Sequence, residues 1–281
     1  MKTLIASALA ALLCAAPARA APPRSTPQRI VSLNPCLDVI LVNVADKDQI
    51  AALSHFSRED TSTIVDLAKT LPSTSESAEE VMSLAPDLVL TSQHSSLATR
   101  NALDRLSITT ALFGEPQTIA ESIAQVREIA ALVGHADRGE DLAARITAAV
   151  DAAAPPQGSQ QITALLFQSN GFSTGHGSLL DELMTHAGFI NAAERYGLVG
   201  WGNIALERVV ADPPQILLAG EARPDKPTWA DRILRHPALA RLEGRMQRAT
   251  FPDRLLYCAG PVLIEAADAL RRAHAQLRPS P

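Results

Sequence analysis

The pentapeptide Gly171-Phe172-Ser173-Thr174-Gly175 matches G-x-S-x-G, the pattern that presents a nucleophilic serine on a sharp strand-to-helix turn. It follows an apolar run, Ile162 to Phe167, that reads as a strand, so a secreted serine hydrolase using Ser173 is one reading of the chain. Asp231 with His236, or Asp253 with His274, could complete a triad. Against it, His176-Gly177-Ser178 separate the second glycine from the next helical pattern, and no HGGG-type oxyanion loop is present. The turn is broader than a nucleophile elbow.

The seven histidines raise the question of a metal, yet none of His55, His94, His176 and His186 stands at the i, i+4 spacing of a helical zinc pair. His55, His94 and His176 instead fall at or just beyond the carboxyl ends of predicted strands, where open α/β sheets gather ligands; an exposed loop histidine explains each equally. Aromatic residues are only 4% of the chain, so their positions are informative. Phe56 follows the strand at 50–54, Phe172 follows the strand at 162–167, and Trp201 precedes the helix that carries Glu207. Rings at such ends suit a large, partly hydrophobic ligand. Neither G-x-x-x-x-G-K-[ST] nor G-x-G-x-x-G occurs, so a nucleotide site has no support.

Those residues need a frame. Arg29 to Leu33 reads as a buried strand, and Pro35 opens a helix; further apolar runs at Ile50 to Ser54, Leu88 to Thr91 and Ile108 to Phe113 alternate with helical patterns at Ala78 to Leu84 and Ser96 to Leu106. That alternation predicts a parallel sheet covered by helices. Ile119, Ile123, Val126, Ile129 and Val133 then keep helical spacing, Gly134 ends that helix, and Asp137 is expected to cap a second one carrying Leu142, Ile146 and Val150. After Pro155-Pro156 the pattern restarts with strands at Ile162 to Phe167 and Gln215 to Ala219 around a helix at Leu179 to Ala187. The expected divisions are therefore a first α/β lobe over 29–115, helices over 116–154 and a second α/β lobe over 159–281. An internal similarity aligns residues 79–90 with 207–218, each a short helix, a proline stop and a strand, and it superposes Glu79 on Glu207. Each glutamate would also be favoured by its own helix dipole.

The chain of 281 residues, 47% hydrophobic and 20% charged, can bury two cores. A net charge of −5 with no run of Lys or Arg excludes the footprint of a nucleic-acid binder. Lys2, the apolar stretch Leu4 to Ala16 and Ala18-Arg19-Ala20 read as a signal peptide over 1–20 cut before Ala21, with a leader over 21–28. The mature protein is expected to be soluble and periplasmic. Leu13 before Cys14 does not fit a lipid-attachment site. Loss of Cys14 leaves Cys36 and Cys258, an even count in an oxidising compartment, for which a disulfide is the default and two buried thiols the alternative.

The segments 29–41 (RIVSLNPCLDVIL), 78–90 (AEEVMSLAPDLVL), 177–193, 205–220 (ALERVVADPPQILLAG) and 257–261 (YCAGP) resemble the periplasmic substrate-binding proteins of corrinoid and iron-siderophore ABC importers, over nearly the whole mature chain. The resemblance implies two Rossmann-like α/β lobes joined by a single long helix, here 117–134, with the ligand in the cleft between them. It implies a monomer without catalytic chemistry or a cofactor of its own, delivering a cobalamin-like corrinoid to an inner-membrane ABC permease dimer. Glu79 and Glu207 match the family's permease-docking glutamates. Phe56, Phe172 and Trp201 match positions that hold aromatic rings against the corrin, and His55, His94 and His176 are the nearby imidazoles. The positions near Ser75 and Ser92, where a cobalamin binder can carry tryptophans, are small and polar, which leaves an iron-siderophore or haem ligand as the alternative.

Overall fold

The computed structural model describes residues 26–220, 233–242 and 244–277. The expected signal segment 1–20, the cut before Ala21 and Asp231 lie outside the described residues.

The chain opens on β1 (Ile30–Ser32), whose three residues are all buried, and passes into α1 (Pro35–Val44). Proline at the first helical position needs no amide hydrogen there, and the Asn34 side chain accepts hydrogen bonds from the Cys36 and Leu37 amides at 2.9 and 3.2 Å. There follow β2 (Ile50–Ser54), α2 (Val65–Ala68), β3 (Ser73–Thr74), α3 (Ala78–Ser83), β4 (Leu88–Ser92), α4 (Leu97–Arg105) and β5 (Thr110–Phe113). The strands form one parallel sheet in the order β3-β2-β1-β4-β5.

Two helices, α5 (Ile119–Leu132) and α6 (Ala136–Ala153), then lead to the second half. Thr118 caps α5 through the Glu121 amide. The break between the helices falls at Gly134 as expected, but His135 holds the cap position of α6, without a side-chain cap, and Asp137 lies inside the first turn. An acid there still meets the positive end of the helix dipole, so the composition signal survives a shift of two residues.

The second half contains β6 (Ile162–Leu166), β7 (Phe172–Thr174), α7 (Leu179–His186), β8 (Phe189–Asn191), β9 (Trp201–Asn203), α8 (Leu206–Ala211), β10 (Ile216–Ala219), α9 (Pro237–Ala240), β11 (Gln247–Thr250) and α10 (Val262–Ala275). Its parallel sheet runs β11-β10-β6-β8, while β7 and β9 pair antiparallel as a separate ribbon. The order β2-β1-β4-β5 in the first sheet is repeated as β8-β6-β10-β11 in the second.

Period-two alternation explains how the halves join. Ile30, Leu88 and Leu90 of the first sheet and Ala164, Leu166, Ile216 and Leu218 of the second point into one continuous core shared with α1, α5, α6, α7 and α10. The intervening Val31 and Val89 face a cluster with Val81 and Leu103, and Leu165 and Leu217 face another with Leu206 and Val209. Each sheet thus has one face on the common core and one face covered by its own helices. Among the described residues, no helix is long and apolar enough to cross a membrane.

Candidate ligand cleft

The carboxyl ends of the first sheet's strands meet the second half across a cavity of about 250 Å3. Asn34 follows β1, Ser92 ends β4 and His94 follows it, and Gly114 to Gln117 follow β5; the opposite wall is Phe172, Trp201, Leu179 and Leu180, and the floor is Cys36, Leu37, Ile40 and residues 256–259. This is where an open α/β sheet presents its loops, which is why strand ends were informative in the sequence.

The aromatic wall is built by the β7–β9 ribbon. Phe172 pairs across with Asn203 and Thr174 with Trp201, so Phe172 and Trp201 are diagonal neighbours on one face. Their rings stack 5.7 Å apart at 12°, and Trp201 remains 42% exposed. The ribbon needs Gly171, at φ +74°, where a Cβ would come within 2.5 Å of the Ile204 carbonyl oxygen. Ser173, on the other face, is fully buried and donates its hydroxyl to the Leu166 carbonyl at 2.6 Å. The G-x-S-x-G match is therefore a strand beside the cleft and not a strand-to-helix corner. His236 caps α9 and His274 packs edge-on against Phe189 at 5.5 Å, so neither serves Ser173.

The floor is closed by a disulfide between Cys36 and Cys258, with Cα atoms 5.0 Å apart. It ties the start of α1 to the segment after the second sheet. Gly260, at φ +64°, lets that segment approach closely: a Cβ there would lie 2.9 Å from Ile40 Cγ1, and its amide donates to Ser122 Oγ on α5 at 2.8 Å.

The histidines separate. His94 lines the cavity and pairs with Glu115 through Nε2 at 2.7 Å. His55 instead tilts against Phe56, centroids 4.0 Å apart, and faces the Thr74 carbonyl. His176 turns to Asp181 at 3.2 Å, and His186 lies 3.9 Å from Glu182. Neither His55 nor His176 lines the cavity: the Thr74 carbonyl at the end of β3 holds the first and the Asp181 carboxylate in the first turn of α7 holds the second. Among the described residues, no group of three His, Cys, Asp or Glu gathers to hold a metal. Phe56, 44% exposed, lines a second cavity, which shares Cys36, Tyr257 and Cys258 with the first.

Tyr257, Asn34 and Gln125 escaped the reading from residues. Tyr257 is 55% exposed on the floor, and burial of its ring followed by the nearby Asp253 charge raises its phenol above the ordinary value. Its only signal was its place beside Cys258. Glu79 and Glu207 lie away from the cavity, exposed in the first turns of α3 and α8 and without an ion-pair or hydrogen-bond partner among the described residues.

A family model described as periplasmic binding protein matches residues 30–244, a span containing both sheets up to β10. The chain belongs to the periplasmic binding protein family. Solved structures share its architecture. A periplasmic heme-binding protein, RhuT from Roseiflexus sp. RS-1, is 25% identical, with a TM-score of 0.68 over 88% of this chain and 98% of that one. The heme-binding protein HutB of Vibrio cholerae is 16% identical at a TM-score of 0.71, covering 88% and 98% of the two chains. The vitamin B12 binding protein BtuF of Vibrio cholerae is 18% identical at 0.66, covering 89% and 99%. No curated protein sequence matches the chain.

Proposed function

We propose that this periplasmic binding protein carries a nearly neutral, flat corrinoid of the cobalamin type to an ABC permease dimer in the inner membrane. The observation that carries this reading is the cleft's chemistry: stacked Phe172 and Trp201 face the neutral polar groups Asn34, Ser92, Gln117 and Gln125 with the Glu115 carboxylate beside them, and among the described residues no lysine or arginine lines the first cavity. Haem or a catecholate chelate brings free anionic oxygens that call for convergent arginines. A corrin rimmed with amides needs rings and neutral hydrogen-bonding groups. Export through the signal over 1–20, action as a monomer and absence of catalysis complete the proposal. His94 would meet the ligand as a hydrogen-bonding group, since Glu115 already engages its Nε2.

Titration calorimetry and visible spectroscopy with cyanocobalamin, dicyanocobinamide and haemin test it. Corrinoid binding with little haemin binding is expected, and Trp201→Ala should weaken it by about 1–3 kcal/mol, the usual loss for an aromatic anchor. Haemin binding without corrinoid binding would transfer the assignment to haem.

A further inference from the structure

The second cavity, about 230 Å3, lies on the other side of the disulfide. Leu37 and Ile40 on α1 face the first cavity, Pro35 and Val39 face the second, and Cys36, Tyr257 and Cys258 form the wall between them. The second cavity is lined by the exposed ring of Phe56 and the hydroxyl-bearing Thr61, Ser62 and Thr63, with Glu59 and Arg254 at its edge. Arg254 is held by Glu265 at 2.6 Å, which lessens its pull on an anion. Two aromatic faces left exposed beside the Thr61 and Ser62 hydroxyls form a surface that a flat, hydrogen-bonding group would complete. Pockets that enclose a sizeable organic ligand run to roughly 300–1,000 Å3, so the first cavity alone falls short and the pair together reaches that range.

We propose that the second cavity is a subsite for a flat heteroaromatic arm of the ligand, which passes over the Cys36–Cys258 wall while the macrocycle stays in the first cavity. This rests on the corrinoid reading and adds that the protein selects complete corrinoids, carrying a nucleotide arm, over truncated ones. Phe56 is the specificity-determining residue. The test measures affinities for cyanocobalamin, which has the arm, and dicyanocobinamide, which lacks it, on the wild type, Phe56→Ala and Trp201→Ala, each with its melting temperature recorded. The wild type should prefer cyanocobalamin at least tenfold. Phe56→Ala should erase most of that preference by weakening cyanocobalamin alone, and Trp201→Ala should weaken both ligands alike. Tight binding of both probes with no preference, or a preference that Phe56→Ala leaves intact, would overturn the subsite and leave the corrinoid reading standing. Failure of the wild type to bind either probe would overturn both.

Discussion

Asp38 shows how a single residue in an apolar helix sets a condition on stability. It is fully buried on α1, where its Oδ2 accepts from the Ser54 amide at 2.9 Å and the Ser57 hydroxyl at 2.6 Å while Oδ1 has no partner. Burial raises its pKa to about 8, hydrogen bonds from the serines pull the other way, and the nearby Glu76 charge adds to the rise. The unfolded chain ionises this carboxyl near pH 4, so between there and about pH 8 the folded state holds a proton that the unfolded state has released. This group's contribution to stability is therefore largest in acid, falls as pH rises through that window, and levels off above the folded pKa. Denaturant unfolding at pH 5 and pH 8 should show that loss, several kcal/mol at the upper bound. Asp38→Asn should flatten it, and an unchanged slope in the variant would refute the account. Nothing in the run LDVILV separates Asp38 from a solvated helical acid, because burial here comes from β2 and the turn after it. By contrast the place of Phe172, Trp201 and His94 on the walls of the first cavity was legible, since a strand end locates a side chain from local pattern alone. His55 and His176 shared that signal and turned elsewhere, because rotamer choice depends on neighbours such as Phe56 and Asp181 that spacing does not reveal.

At the scale of elements, the aligned segments 79–90 and 207–218 become the same unit twice: six-residue helices α3 and α8, then β4 and β10, which occupy equivalent places beside β1 and β6. A repeated helix–strand unit keeps one hydrophobic pattern because each copy solves the same packing problem, so the long parallel strands were readable from sequence. The β7–β9 ribbon was not. Its three-residue strands are too short for alternation to register, and its glycines looked like an open turn. If the repeated glutamates dock two symmetric permease subunits, each needs its charge and not its fold partners. Reversing them as Glu79→Arg and Glu207→Arg should impair uptake, the double variant most, with ligand affinity unchanged, because like charges facing each other at an interface cost far more than an exposed pair contributes. A carboxylate acting only on its own helix dipole is worth about 0.3–1 kcal/mol and predicts a slightly lower melting temperature with normal uptake. Uptake in whole cells and melting of the purified variants separate the two.

Across the whole molecule, the two sheets are held together by the shared core along α5 and α6 and by one covalent link at the cleft floor, whose cysteines stand 222 positions apart in the sequence. The even cysteine count made that pairing readable, while the closeness of residue 258 to α1 depended on Gly260 fitting against Ile40, which no pattern exposes. A cross-link over so long a loop restricts the unfolded chain by about 5 kcal/mol in the chain-entropy account. For a domain of this size each kcal/mol moves the melting temperature by roughly 2–4 °C, so Cys36→Ser with Cys258→Ser should melt about 10–20 °C lower. The same bridge forms the wall shared by both cavities, so its loss should also loosen the cleft. Ligand affinity, measured well below the new melting temperature, should fall together with stability. Chemical reduction of the wild type should reproduce both effects, and reoxidation should reverse them. A reduced protein that melts within about 2 °C of the oxidised one and binds equally well would show that the shared core alone fixes the two halves, leaving the bridge without a part in either stability or recognition.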